Sequence, residues 1–148
     1  VVSRTFSKTW AMAGARIGYL LAPSWCVAEL EKVALPYHLD AFKQVAGELA
    51  LAHGPAMDQR ISILVAERER MSTALEALPV TTWPSAANFI LFRPEARPGR
   101  EVWQDLVDRS VLVRDFTTME GVEGCLRVTI GTSDENDRFL NALREALS

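Results

Sequence analysis

The feature that most restricts how this chain can fold is a change of texture at Pro79. Before it, Met57, Ile61, Leu64, Val65, Met71, Leu75 and Leu78 recur at helical spacing, and the charged run Glu67-Arg68-Glu69-Arg70 lies mostly on the opposite, wet face. That spacing predicts one helix of roughly 20 residues with a single apolar stripe. After it, apolar residues come in short runs rich in β-branched and aromatic types: VTTW (80–83), NFILF (88–92), VLVR (111–114) and CLRVTIG (125–131), with a helix expected at 101–108. Thr132 and Glu135 then form a capping-box pair ahead of Phe139, Leu140, Leu143, Ala146 and Leu147, so the chain closes on an amphipathic helix. These elements can bury their apolar sides by laying the helices on one small sheet, and residues 56–148 are expected to form a compact α+β domain.

The preceding part is organised differently. VVSRTF is strand-like, and ARIGYLLA (15–22) is an apolar run suited to a buried strand, stopped by Pro23 and Ser24. Val27, Leu30 and Ala34 give one apolar face to a helix ending before Pro36. LPYHLD (35–40) is expected to be an extended connector, because Pro36 restricts Leu35 and lacks a backbone donor. The alanine-rich stretch 40–53 is expected to be helical and to be terminated by Gly54-Pro55. Residues 1–35 are therefore assigned to the edge of another domain and 36–55 to a connector and helix. A chain that begins in mid-strand at Val1-Val2, without methionine, is expected to be the C-terminal part of a longer polypeptide.

Composition removes several classes of function. With 49% hydrophobic and 24% charged residues the chain can bury a real core and is not a disordered type. The balance of 16 Lys and Arg against 19 Asp and Glu leaves a net charge of −3 with the basic residues scattered, which offers no nucleic-acid face. Cys26 and Cys125 are far apart, with no CxxC and no neighbouring histidine, so no metal site or disulfide is expected and reduced cytoplasmic thiols are. There is no apolar run of the roughly 18 residues a membrane span needs, and no leader-like start. A cytoplasmic location is the expectation.

The residues best suited to chemistry lie in RTFSKTWAMAGARIGY (4–19). A lysine is ordinarily a solvated surface charge. Here Thr5 and Ser7 put hydroxyls beside the Lys8 amine, Arg16 follows a short loop later, and Phe6, Trp10 and Met12 make the surroundings apolar. An amine in an apolar pocket can attack a carbonyl, while hydroxyls and a guanidinium are what a bound phosphate needs. Together they point to pyridoxal 5′-phosphate, whose aldehyde condenses with an amine. A nucleotide loop is the competing reading, and the GxxxxGK[ST] spacing it requires is absent.

The same stretch resembles the S-x-S-K-x-x-x-x-x-G-x-R-x-G-Y signature of the class I and II aminotransferases, pyridoxal-phosphate enzymes of fold type I, with Thr5 in place of the first serine. Within them the chain is most similar to the histidinol-phosphate aminotransferase branch. LPYHL (35–39), AERER (66–70), ANFILF (87–92), VLVRDF (111–116) and GCLRVTIGTSDENDRFLNAL (124–143) follow that pattern in order. The resemblance implies an α/β fold, the C-terminal portion of a fold-type I transferase: the end of a large α/β domain plus a small α+β domain.

It also implies roles. Lys8 would hold the cofactor and relay a proton between the substrate α-carbon and cofactor C4′. Ser7 and Arg16 would bind the cofactor phosphate, with Thr5 as a further donor. Arg127 would receive the substrate's anionic group, assisted by Arg114, with Asn88 and Tyr37 as further contacts. The implied reaction moves an amino group from histidinol phosphate, or from another amino acid, to a 2-oxo acid such as 2-oxoglutarate, in a homodimer. Aromatic aminotransferases and phosphothreonine decarboxylases are the neighbouring alternatives, and a non-catalytic fragment or interaction module is a third. In this family the acid at the pyridine nitrogen and the stacking aromatic precede the lysine, so the 148-residue chain alone is expected to be inactive.

Plainer roles compete for some of these residues. Arg114 and Arg127 could pair with Asp115 or Glu123, and Tyr37 and His38 could simply pack. His53 suits a helix end, where a cation is favoured, and Trp25, Trp83 and Trp103 suit core or surface anchors.

Overall fold

In the computed structural model, which describes residues 1–148, Val2–Thr5 (β1) folds back on Gly18–Leu21 (β2) as an antiparallel pair. Thr5 lies opposite Gly18, and a bond from the Phe6 N–H to the Ile17 carbonyl (3.1 Å) adds one more step. A Cβ on Gly18 would sit 2.8 Å from the Arg4 carbonyl oxygen, so the close approach of the two strands requires glycine there. The expected buried strand at 15–22 is corrected: β2 is present, but all four of its residues are exposed. The pair has only two strands, and burial is confined to Phe6 and Ile17, the latter against Gly47 of the helix Ala41–Leu51 (α2).

Ser24–Glu31 (α1) stops short of Ala34, because the N–H groups of Val33 and Ala34 both turn back to the Leu30 carbonyl (3.1 Å each). α2 is capped by Asp40, whose side chain accepts the Lys43 N–H at 2.9 Å. Gly54-Pro55 does not only stop α2; it opens the next helix, Gly54–Glu76 (α3), in the first turn of which proline's missing donor costs nothing.

Contacts divide the chain into two units, Val1–Ile61 and Ser62–Ser148, with the division inside α3. Ala56, Met57 and Arg60 belong to the first unit because they line a cleft with Thr9, Trp10, Ala50 and His53.

The second unit is built on a sheet of order β3-β4-β6-β5, antiparallel throughout: Val80–Thr82 (β3), Phe89–Pro94 (β4), Arg114–Asp115 (β5) and Leu126–Thr129 (β6). Ile90, Phe92, Leu126 and Val128 point to one face, where they meet Met71 and Leu75 of α3, Val102 and Leu106 of Gly99–Asp108 (α4), and Phe139, Leu140, Leu143 and Ala146 of Ser133–Leu147 (α5). Each of these side chains apart from Ala146 contributes about 1.5–3 kcal/mol by leaving water. Strand alternation therefore sends Phe89, Leu91, Arg93, Arg114 and Arg127 to the other face.

The capping box forms as expected: Thr132 accepts the Glu135 N–H, and the Glu135 carboxylate accepts the Thr132 N–H at 2.8 Å. The expected strand 111–114 is shorter than its composition indicates, since only Arg114 and Asp115 pair with β6. The Trp103 indole donates to the Val113 carbonyl (3.1 Å) and the Val111 N–H to the Leu106 carbonyl (2.8 Å), so α4 holds this segment instead of the sheet. The charged run on α3 is also less solvated than its pattern indicates. Glu67 pairs with Arg70 (2.8 Å), Arg70 reaches Asp137 of α5 (2.6 Å), and Arg68 donates to the Ala87 carbonyl (3.2 Å).

Candidate active site

The β1–β2 connection gathers Thr5, Ser7, Lys8 and Arg16 at one end of the first unit's hairpin. The ladder ends at the Phe6–Ile17 bond (3.1 Å), and Ser7 and Arg16 are the next residues on either side of it. The Thr5 hydroxyl donates to Ser7 Oγ (2.9 Å) and accepts the Ser7 N–H (3.1 Å), which makes the two hydroxyls a joined pair. The loop is turned by Ala11 (φ 56°) and Arg16 (φ 54°), both left-handed without being glycine. Such residues cost on the order of 1 kcal/mol each and persist where their surroundings hold them. Here the Ala11 N–H binds the Lys8 carbonyl (2.9 Å), the Met12 N–H binds the Phe6 carbonyl (3.1 Å) and Arg16 Nη1 donates to the Ala13 carbonyl (3.2 Å).

Lys8 is exposed, and its ammonium has no hydrogen-bond partner in the chain. The expected apolar enclosure by Phe6, Trp10 and Met12 does not form around it. The buried Phe6 ring instead packs on Trp10 (centroids 5.7 Å) and edge-on to Tyr19 (5.9 Å), beneath the loop. An uncommitted amine, a hydroxyl pair and a guanidinium with donors to spare form a set that fits a phosphate-bearing aldehyde.

The second unit supplies a different arrangement. Arg114 of β5 and Arg127 of β6 are register partners, directly opposite on the face away from the core. Like charges in that position destabilise a strand pair unless something relieves them. Their candidate carboxylates are engaged elsewhere. Asp115 takes the Arg100 guanidinium and the Thr117 hydroxyl (2.6 Å), while Glu123 accepts the Gly121 N–H (3.0 Å). The Thr117 hydroxyl, joined by the Thr117 N–H and Arg100, holds the Asp115 carboxyl below the usual carboxylate range, and the Gly121 N–H does so for Glu123. The Arg127 guanidinium carbon lies 4.9 Å from the Phe89 ring centre and 5.4 Å from that of Phe116, and its Nε is buried with no hydrogen-bond partner.

The remaining candidates are placed less tellingly. Tyr37 stands 99% exposed in the α1–α2 connector with φ 58°. Asn88 is half-buried just before β4, and its carbonyl accepts the Ile130 N–H (2.9 Å). The structure thus brings Thr5, Ser7, Lys8 and Arg16 together in one unit and Arg114 and Arg127 together in the other. Phe89 and Phe116, which touch the arginines, escaped the sequence reading. Their signal is spacing by two from Leu91 and Arg114, which places them on the arginine face once the strands are known.

The sequence profile of Aminotransferase class I and II matches residues 1–143. The histidinol-phosphate aminotransferase of Streptomyces avermitilis is 46% identical over 145 residues, which cover 98% of this chain and 38% of that protein. That of Frankia casuarinae is 45% identical over 148 residues, 100% of this chain and 36% of the relative. Among solved structures, the histidinol-phosphate aminotransferase of Sinorhizobium meliloti in complex with pyridoxal-5′-phosphate superposes with a TM-score of 0.82 at 25% identity, over 98% of this chain and 40% of that one. The chain therefore spans between a third and a half of the length of these relatives. The lysine signature at one end, the arginine-bearing sheet at the other and a profile match running through both place the chain in the class I and II aminotransferase family, as part of its mixed α/β, fold-type I architecture.

Proposed function

We propose that this chain is the part of a cytoplasmic, homodimeric histidinol-phosphate aminotransferase that carries the cofactor lysine and the clamp for the substrate's anionic group. The observation that carries this reading is the Arg114–Arg127 rung: two opposed guanidiniums with no carboxylate of the chain between them. A phosphate monoester, doubly charged near neutral pH, relieves both at once, whereas a single carboxylate leaves half of the repulsion. Identity of 46% and 45% to histidinol-phosphate aminotransferases supports the same substrate.

Bound pyridoxal phosphate supplies the electron sink that makes a proton on the substrate's α-carbon removable. Ser7 and Arg16 hold the cofactor phosphate, with the Thr5 hydroxyl keeping Ser7 oriented. Lys8 anchors the cofactor through its amine. The same amine would take the substrate's α-carbon proton and later return it, serving as base and then acid. Arg127 and Arg114 hold the substrate's distal phosphate, with Asn88 and Tyr37 as further substrate contacts. The second substrate is a 2-oxo acid, 2-oxoglutarate in this reading.

The test uses the protein at the length of its relatives. Lys8→Ala is expected to abolish both turnover and the visible absorption of bound cofactor, and survival of either refutes the assignment. Arg127→Ala is expected to raise KM for histidinol phosphate about 10- to 100-fold, the value of one charge-assisted hydrogen bond or two, with Arg114→Ala toward the lower end. An unchanged KM in both refutes the clamp. Release of carbon dioxide from phosphothreonine, without amino transfer, would assign decarboxylation instead.

A further inference from the structure

Nothing polar in the chain orients the two opposed arginines. Neither guanidinium makes an ion pair or hydrogen bond, and the Nε of Arg127 is buried without a partner. The groups that do touch them are rings. The Phe116 ring lies 5.8 Å from the guanidinium carbon of Arg114 and 5.4 Å from that of Arg127, so one ring serves both, while Phe89 touches Arg127 alone at 4.9 Å. Phe116 is half-buried and tied down, its N–H bonded to the Cys125 carbonyl (3.1 Å), which extends the β5–β6 ladder past Asp115.

We infer that Phe116 is a positioning residue: its ring holds Arg114 and Arg127 aimed at a common point and thereby sets the preference for doubly over singly charged anions. The inference rests on the clamp reading above. A guanidinium attracted to a ring face leaves the N–H donors at its edge free, so the ring orients each fork without consuming the groups that bind ligand. The ring's negative face also eases the repulsion between two cations on one rung before any anion arrives. Without the ring the forks diverge. A singly charged carboxylate is satisfied by one fork and loses little; a phosphate needs both and loses the second.

The experiment titrates the full 148-residue chain with inorganic phosphate and, separately, with acetate at matched ionic strength, following arginine Nε–H signals by proton–nitrogen NMR. The wild type is expected to bind phosphate more tightly than acetate, with the Arg127 signal moving. Phe116→Leu is expected to weaken phosphate about tenfold, equivalent to ~1.4 kcal/mol, and acetate less than about twofold, while Phe116→Tyr restores the wild-type preference. If Phe116→Leu loses its dispersed spectrum, Phe116→Met, unbranched and ringless, gives the same readout. Phosphate binding unaltered in the ringless variant overturns the inference and leaves the clamp standing. Equal losses for phosphate and acetate overturn the selective role. A wild-type chain in which phosphate moves neither arginine signal overturns the clamp and the inference together.

Discussion

Asn136 is the one polar residue in the core of the second unit, 2% exposed, and replacing it tests how the arginine-bearing strand is anchored. Its Oδ1 accepts the Gly131 N–H at 2.9 Å, and its Nδ2 donates to the Gly131 carbonyl at 3.1 Å and to Glu67 at 2.7 Å. Gly131 is the turn between β6 and α5, and a Cβ there would sit 2.6 Å from the capping carboxylate of Glu135. Asn136→Ala takes a partner from the half-buried Gly131 N–H, from the Gly131 carbonyl and from the Glu67 carboxylate, at about 1 kcal/mol each, so a loss of about 3 kcal/mol is expected. For a chain of this size that lowers Tm by about 9 °C. Native-state hydrogen exchange at Ile90 and Leu143, both deep in this unit's core, reports the loss unit by unit. A loss below about 1 kcal/mol would refute the anchoring role. Asn136→Asp adds a second arm by placing a carboxylate against Glu67. Arg70 first, and Asn136 after it, hold the Glu67 carboxyl below its ordinary range, so Glu67 is ionised at neutral pH and repels the new group. Protonating either carboxyl removes the repulsion and creates a donor. The deficit of the Asp variant is therefore expected to shrink between pH 7 and about pH 4, and a deficit constant across that range contradicts the assigned contacts.

Three further perturbations follow from geometry already described. Thr132→Ala removes one half of the capping box and is expected to cost about 1 kcal/mol, read as a fall in Tm of about 3 °C. Gly99→Ala puts a Cβ 2.3 Å from the Gly124 carbonyl oxygen, a backbone atom that cannot step aside; a loss of about 2 kcal/mol or more in urea unfolding is expected, and a neutral result would mean that α4 starts elsewhere. Asp115 has a folded-state pKa below its unfolded value, so it contributes stability above the ordinary carboxylate range near pH 4 and loses that contribution as pH falls through the folded value. Asp115→Asn is expected to flatten the acid limb of a Tm-against-pH profile, and an unchanged limb would show that Thr117 and Arg100 do not stabilise the ionised form.

What could be seen in the residues alone was whatever is encoded locally. The Thr132–Glu135 cap spans three positions, and the terminal helix was legible down to Phe139, Leu140, Leu143 and Ala146. Gly54-Pro55 misled because the same dipeptide suits the end of one helix and the first turn of the next. VLVR has the side chains of a strand whether or not an edge is free to receive it, and the Trp103 indole decided that from elsewhere in the chain. The apolar run of β2 likewise could not report whether any layer would cover it. The site divides in the same way. Lys8, Ser7 and Arg16 stand out by spacing, since one short loop carries them all. Arg114 and Arg127 were joined only through the resemblance, which has Arg114 assist Arg127; the residues by themselves show two separate strand arginines. That they share a rung, with Phe116 between them, depends on a pairing fixed by the Phe116–Cys125 bond across an intervening loop.

The β5–β6 pairing has a genetic consequence. Asp115 is chemically the obvious counter-ion for Arg127 and sits one residue from the position opposite it, but successive strand residues face opposite ways, so it looks toward α4 and is held there by Arg100 and Thr117. Sliding β5 by one residue would bring Asp115 across from Arg127 and convert an unpaired arginine rung into an internal ion pair. In the clamp reading proposed above, a deletion or insertion of a single codon beside Arg114 would therefore close the anion clamp without changing any residue of α4 or α5.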